Sequence, residues 1–272
     1  MRIEAFGHTD IGRHREWNED SYLCLSLSPP GSNGVRPLQL LAAADGIGGQ
    51  AGGEKASALA VETLEAVVRD RVAKSGPAPD FKMILEEAYQ IANARIFSAA
   101  ATDAALTGMG TTLVSAIALG DLALVANVGD SRAYLVREGV LSQLTRDHSW
   151  AAEQRRTNAL SEEEIRRSPF KNMITRSLGY YEKVEADALD VPLREGDPLL
   201  LCTDGLHGAL TEKQIRKALK RRKTPEWVCE KLIHLANDQG GRDNITVVLA
   251  RFLKENGKPR PSPSDTVRLK AG

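Results

Sequence analysis

Between residues 111 and 144 the chain leaves almost no room between apolar segments. Residues 111–119 (TTLVSAIAL), 122–128 (LALVANV), 132–137 (RAYLVR) and 140–144 (VLSQL) are separated only by Gly120-Asp121, Gly129-Asp130-Ser131 and Glu138-Gly139. A parallel crossover takes a dozen or more residues, so linkers this short predict antiparallel strands joined by hairpins. On pattern alone, Gly129-Asp130-Ser131 reads as a hairpin tip. Strands are also expected at 3–9, 21–27, 187–193, 197–203 and 245–253. Helical spacing of apolar residues predicts helices at 54–73, 80–101, 211–222 and 225–238, the first broken by Ser75-Gly76-Pro77. The 28–37 stretch (SPPGSNGVRP) is a turn or loop. Residues 146–176 are polar and helix-prone, with an N-cap signal at Ser161-Glu162-Glu163-Glu164, and read as an excursion from the body.

Residues 38–57 (LQLLAAADGIGGQAGGEKAS) combine a buried-strand pattern with chemistry. The apolar run ends on Asp45, and Gly46, Gly48, Gly49, Gly52 and Gly53 follow before an alanine-rich helical segment. Glycines here can serve simply as a tight turn. Gly46-x-Gly48-x-x-Ala51 loosely matches a dinucleotide fingerprint, but about fifty residues of helical pattern follow where a further parallel strand is required. Gly48-x4-Gly53 is followed by Glu54-Lys55 rather than Lys-Ser/Thr, which excludes a P-loop. The arrangement of Asp45 recurs. Leu199-Leu200-Leu201-Cys202-Thr203 delivers Asp204 into Gly205, and Gly240-Gly241-Arg242-Asp243-Asn244 puts a third aspartate beside glycines at the end of an apolar strand.

Composition narrows the chemistry. Lys+Arg and Asp+Glu are both 36, so the net charge is zero, and neither a nucleic-acid nor a membrane field is indicated. The N-terminus MRIEAFGHTD has no apolar signal core and no run approaches a membrane span, so the expected location is cytoplasmic. Three widely spaced cysteines (Cys24, Cys202, Cys229) indicate neither a disulfide framework nor a zinc cluster. If Asp45, Asp204 and Asp243 converge, their charges repel unless a cation intervenes. An all-oxygen set selects Mg²⁺ or Mn²⁺, and two such ions can activate a water for phosphoester hydrolysis. A nearby arginine would grip the phosphoryl oxygens. Arg13 and Arg15 offer that in the polar 9–20 segment, which otherwise reads as a solvated loop.

Six ordered motifs carry a resemblance. They are Thr9-Asp10-x-Gly12-x-x-Arg15-x-x-Asn18-Glu19-Asp20, Ala44-Asp45-Gly46-Ile47-Gly48-Gly49 with Gly53-Glu54-x-Ala56-Ser57, Gly110-Thr111-Thr112, Asn127-Val128-Gly129-Asp130-Ser131-Arg132, Cys202-Thr203-Asp204-Gly205-Leu206 and Gly241-Arg242-Asp243-Asn244. In this order they resemble the motifs of the bacterial metal-dependent serine/threonine protein phosphatases (the PPM, or type 2C, family) over residues 3–253. The resemblance implies an α+β fold, a four-layer α-β-β-α sandwich of two antiparallel sheets flanked by helices. It implies a phosphatase domain over 1–253, with 146–176 as its mobile flap. Residues 254–272, rich in Pro, Ser and Lys, are expected to be a disordered tail.

The same resemblance implies two core Mn²⁺ or Mg²⁺ ions. Asp45 bridges them and the Gly46 carbonyl binds the first. Asp204 and Asp243 hold the second, with Glu19 and Asp20 close by, and Asp130 supports a third ion. Arg15 matches the phosphate-binding arginine. The implied partners are phosphorylated protein substrates and a cognate serine/threonine kinase, with no nucleic acid or membrane, and a monomer is expected. The departure is Gln50, where members carry a histidine after the Gly-Gly pair; an amide cannot act as a general acid. The acid is therefore left open between a metal-bound water and His207, while His148 reads as structural or substrate-side. Two other readings stay open: a pseudophosphatase that binds without turnover, and a two-metal hydrolase for small phosphoesters or nucleic acid. Thr266 in the tail is a further phosphosite reading.

Overall fold

The computed structural model describes residues 1–28, 37–75, 79–220 and 223–254, without the side chains of Gln50 and Ala51. The 28–37 loop (but for its end residues), the Gly76-Pro77 break and the tail with Thr266 lie outside the described residues. The elements run β1 (Arg2–Asp10), β2 (Asp20–Leu27), β3 (Leu38–Ile47), α1 (Gln50–Lys74), α2 (Phe81–Thr102), a 3-10 turn (Ala104–Leu106), β4 (Gly110–Thr111), β5 (Leu113–Leu119), β6 (Leu122–Val128), β7 (Arg132–Arg137) and β8 (Val140–Gln143). They continue through α3 (Trp150–Thr157), α4 (Glu162–Arg167), β9 (Asp187–Pro192), β10 (Pro198–Cys202), α5 (Asp204–His207), α6 (Glu212–Leu219), α7 (Pro225–Asp238) and β11 (Ile245–Leu253).

Strand β3 is apolar at almost every position because both its faces are covered. Leu40, Ala42 and Ala44 pack under α1 and α2, against Leu64, Val68, Leu85 and Ile96. The alternate residues Leu41 and Ala43 face a second sheet, meeting Leu199, Leu201, Val248 and Phe252. β10 splits the same way: Leu199 and Leu201 look between the sheets, while Leu200 and Cys202 pack under Ile215, Leu219, Val228 and Leu232 of α6 and α7. Successive strand residues point to opposite faces, so two buried faces turn the expected alternation into a continuous apolar run. The result is the expected α-β-β-α sandwich.

One sheet has the order β1-β11-β10-β7-β8; the other runs β2-β3-β5-β6-β9, with β4 pairing β3 at its end, and every pair is antiparallel. β5–β6 and β7–β8 are the expected hairpins. The step between β6 and β7 is not: the two strands belong to different sheets. Gly129-Asp130-Ser131 is therefore a bridge across the sandwich rather than a hairpin tip. A short linker dictates proximity, and face-to-face sheets about 10 Å apart satisfy that as well as pairing does.

α1 starts earlier than predicted, at Gln50 inside the glycine run. Gly52 and Gly53 donate to the Gly49 carbonyl at 2.9 and 3.1 Å and open the helix. In the 146–176 segment, α4 opens with the expected signal as a full capping box between Ser161 and Glu164.

Candidate metal centre at the junction of the two sheets

Each acidic motif residue reaches one edge of the sandwich by strand register. Asp20 begins β2 and lies directly opposite Asp45 on β3. On the other sheet, β10 ends just before Asp204, and β11 starts just after Asp243. Cys202 pairs with Val247, so the end of one strand lies beside the start of the other. Asp243 precedes its strand, the expected 245–253 segment, while Asp204 follows one; antiparallel neighbours bring both to the same edge. Asp130 arrives on the bridge between the sheets.

Polar residues set among apolar ones aim these carboxylates. The Thr203 hydroxyl donates to Asp20 Oδ2 at 2.8 Å and accepts from Thr246 N at 3.0 Å, tying β2 to the opposite sheet. Asp45 N donates to the Thr112 hydroxyl (2.9 Å), while Thr111 Oγ1 and Thr112 N both donate to the Asp45 carbonyl. Thr112 meets Ser131 at 2.7 Å and so joins Asp45 to the Asp130 bridge. Asn244 fixes the 11–19 loop, donating to the carbonyls of Ile11 and Trp17 and accepting from Glu19 N. None of these supporting roles was assigned from sequence; the available signal was threonine, serine and asparagine beside each acidic motif.

The glycines serve close approach. A Cβ on Gly46 would sit 2.1 Å from the Gly53 carbonyl oxygen and 2.6 Å from that of Glu19. A Cβ on Gly53 would fall 2.6 Å from Glu19 Oε1. Glu19, Gly46 and the start of α1 are thus packed main chain to carboxylate.

The electrostatics are those of a crowded acidic site. Burial pushes Asp20 up to about 7, against the pull of its threonine hydrogen bonds. Burial, then Asp204, pushes Asp130 up to about 7. Asp45 stands well above the usual carboxylate range through burial and the charges of Asp20, Asp204 and Asp130. Burial raises Asp204 and Glu19 as well. Glu19 Oε1, Asp20 Oδ1, Asp130 Oδ1 and Asp204 Oδ1 are buried oxygens with no hydrogen-bond partner. Orphaned buried acceptors are costly and call for a ligand; hard oxygens of this kind fit Mg²⁺ or Mn²⁺. Among the described residues, no three such side chains already form a closed metal cage; the fit lies in converging donors and unsatisfied oxygens.

Arg15 and Asp243 are found together. The guanidinium grips the carboxylate through Nε (2.8 Å) and Nη2 (2.9 Å) at the exposed rim. Asp243 thereby has partners for both oxygens, Oδ1 also accepting from the neighbouring Asn244 N at 2.9 Å. Arg13 takes no comparable position: its main-chain N–H caps Gly241 and its side chain is exposed. His207 fails as the acid. Its Nε2 donates to the Asp130 carbonyl at 3.0 Å, and burial lowers it to about 4, a neutral holding group. Gln50 heads α1, and its side chain lies outside the described residues.

The family model described as protein phosphatase 2C matches residues 32–252. The serine/threonine phosphatase stp of Listeria innocua is 38% identical over 257 residues, covering 94% of this chain and 99% of the relative. The structure of the S. agalactiae serine/threonine phosphatase superposes with a TM-score of 0.83 at 34% identity, over 92% of this chain and all of that one. The catalytic domain of the serine threonine protein phosphatase PstP, solved in complex with two manganese ions, gives 0.78 at 32% identity over 93% of this chain and 99% of that one.

Proposed function

Since the chain belongs to the protein phosphatase 2C family, we propose that it hydrolyses phosphoserine and phosphothreonine on proteins and so reverses a serine/threonine kinase. The observation that carries this is the set of four buried, partnerless carboxylate oxygens where the two sheets meet. Asp45 and the Gly46 carbonyl would hold one Mg²⁺ or Mn²⁺, with Asp45 shared by a second that Asp204 and Asp243 complete. Glu19 and Asp20 support the pair, and Asp130 a third ion. The relative solved with two manganese ions supports the core pair. When bound, such ions neutralise phosphoester charge and make water nucleophilic near neutral pH.

The chain's own groups do the rest. Arg15 presents a planar fork suited to two phosphoryl oxygens and is held at the rim by Asp243 until substrate arrives. Thr203 keeps Asp20 aimed inward, and Thr112 and Ser131 keep Asp45 and the Asp130 bridge in register. Neither His148 nor His207 is free to protonate a leaving group. Residues 1–253 act as one catalytic unit with 146–176 as a flap over it. The unit works as a cytoplasmic monomer, and among the described residues no helix is long and apolar enough to cross a membrane. An intact acidic set favours turnover over a pseudophosphatase role.

The test is hydrolysis of a phosphothreonine peptide with and without Mn²⁺, by the wild type and by Asp204→Asn. Turnover that needs Mn²⁺ and falls more than about a hundredfold in the variant, beyond the usual loss for groups outside the ligand set, is expected. A folded wild type inactive at every Mn²⁺ concentration would establish the pseudophosphatase instead.

A further inference from the structure

His148 is a buried titratable group, 5% exposed, that the chemistry above does not use. It grips one residue at two points. Gly129 N donates to His148 Nδ1 at 3.1 Å, and His148 N donates to the Gly129 carbonyl at 2.9 Å. Gly129 immediately precedes Asp130. A ring nitrogen that accepts from a main-chain N–H carries no hydrogen, which places the hydrogen on Nε2. That nitrogen lies 3.3 Å from Asp187 Oδ2 and 3.2 Å from Arg176 Nη1, which also holds the other oxygen of the same carboxylate at 2.8 Å.

Both ends of the 146–176 segment converge here. Thr175 N donates to the His148 carbonyl, Trp150 N donates to the Met173 carbonyl, and Ser149 bridges Ile174. Next door, Arg132, at the start of β7, grips Asp147 at 2.6 and 2.8 Å. At the receiving end, Asp130 Oδ1 has no hydrogen-bond partner, so the main chain that carries this carboxylate largely sets its direction. That main chain has little slack. Gly129 has φ +99°, and a Cβ there would lie 2.5 Å from Thr112 Cγ2.

We propose that His148 is a positioning residue that sets the main chain of the Asp130 bridge from the start of the 146–176 segment. The inference rests on the phosphatase reading for its role but not for its test. Asparagine can offer its amide oxygen near the place of Nδ1 and keep the acceptor for Gly129 N–H. Glutamine places its amide near Nε2 and loses that acceptor.

Mn²⁺ binding is measured by calorimetry on the full chain for the wild type, His148→Asn and His148→Gln, with thermal midpoints as a check on folding. Peptide kinetics are measured alongside. His148→Gln is expected to weaken the weakest Mn²⁺ binding step and lower kcat by about tenfold with KM unchanged, and His148→Asn to stay within about threefold of the wild type. Equal behaviour of the two variants, whether both like the wild type or both reduced alike, overturns the proposal. Should His148→Gln not fold, Asp187→Ala takes its place: it removes the acceptor facing Nε2 and should weaken Mn²⁺ in the same direction, and unchanged Mn²⁺ affinity there overturns the proposal. If the Asn/Gln difference in Mn²⁺ affinity is present but no variant turns over phosphopeptide, the phosphatase reading fails while the clamp stands.

Discussion

Asp20 faces Asp45 across one ladder and takes its hydrogen bond from Thr203 on the other sheet, so one side chain belongs to both halves of the sandwich. Sequence made the carboxylates legible because charge at the edge of an apolar run is conspicuous. It left Thr203, Thr112 and Asn244 without roles, since a neutral polar residue announces nothing until its partner, tens or hundreds of residues away, is in place. His148 is a similar case, and it titrates. Burial, then the Arg176 charge, holds its imidazole below the ordinary 6.5. As pH falls below that value the unfolded chain takes up a proton that the native ring refuses. Stability contributed by the neutral ring is therefore present above about 6.5 and lost on acidification. Thermal midpoints of the wild type and His148→Asn should converge as pH is lowered from 7 to 5. A gap that stays constant or widens would show that the ring is not held neutral.

At the scale of elements, hydrophobic rhythm predicted nearly every strand and long helix, and it failed where two geometries satisfy the same spacing. The β6-to-β7 step has a hairpin's length but crosses between sheets, and α1 begins within glycines because close packing against Glu19 excludes a side chain at Gly53. At the opposite end of β7 from the site, Arg137 makes a second tie between the sheets. It bonds Asp197, only 5% exposed, at 2.5 and 3.2 Å and the Pro192 carbonyl of β9 at 2.6 Å. Removing the cation leaves a buried carboxylate with a single main-chain donor, Arg194 N. Arg137→Met should cost about 2–3 kcal/mol, below the range for a fully enclosed pair because the arginine keeps some water contact. Denaturant unfolding measures it. Mn²⁺-dependent kcat should not change, five strand positions away; a loss of kcat without loss of stability would contradict that separation.

Over the whole molecule, the site lies between two sheets that each bring acidic groups, so metal binding and folding are coupled. Free Mn²⁺ at about a hundred times its Kd should add about 2.7 kcal/mol per ion and raise the thermal midpoint by about 5–10 °C over the protein in EDTA. Identical midpoints in scanning fluorimetry would argue against ions held by the native state. The sheet order adds a constraint in time. Among the described residues β1, at the N-terminal end of the domain, pairs only with β11, and β11 alone joins it to β10. A ribosome-bound chain lacking that strand has an open slot in the middle of one sheet, and Asp243 emerges just ahead of the strand that fills it. The nascent phosphatase therefore cannot assemble its acidic edge, or work on its neighbours, until almost the whole domain has left the exit tunnel.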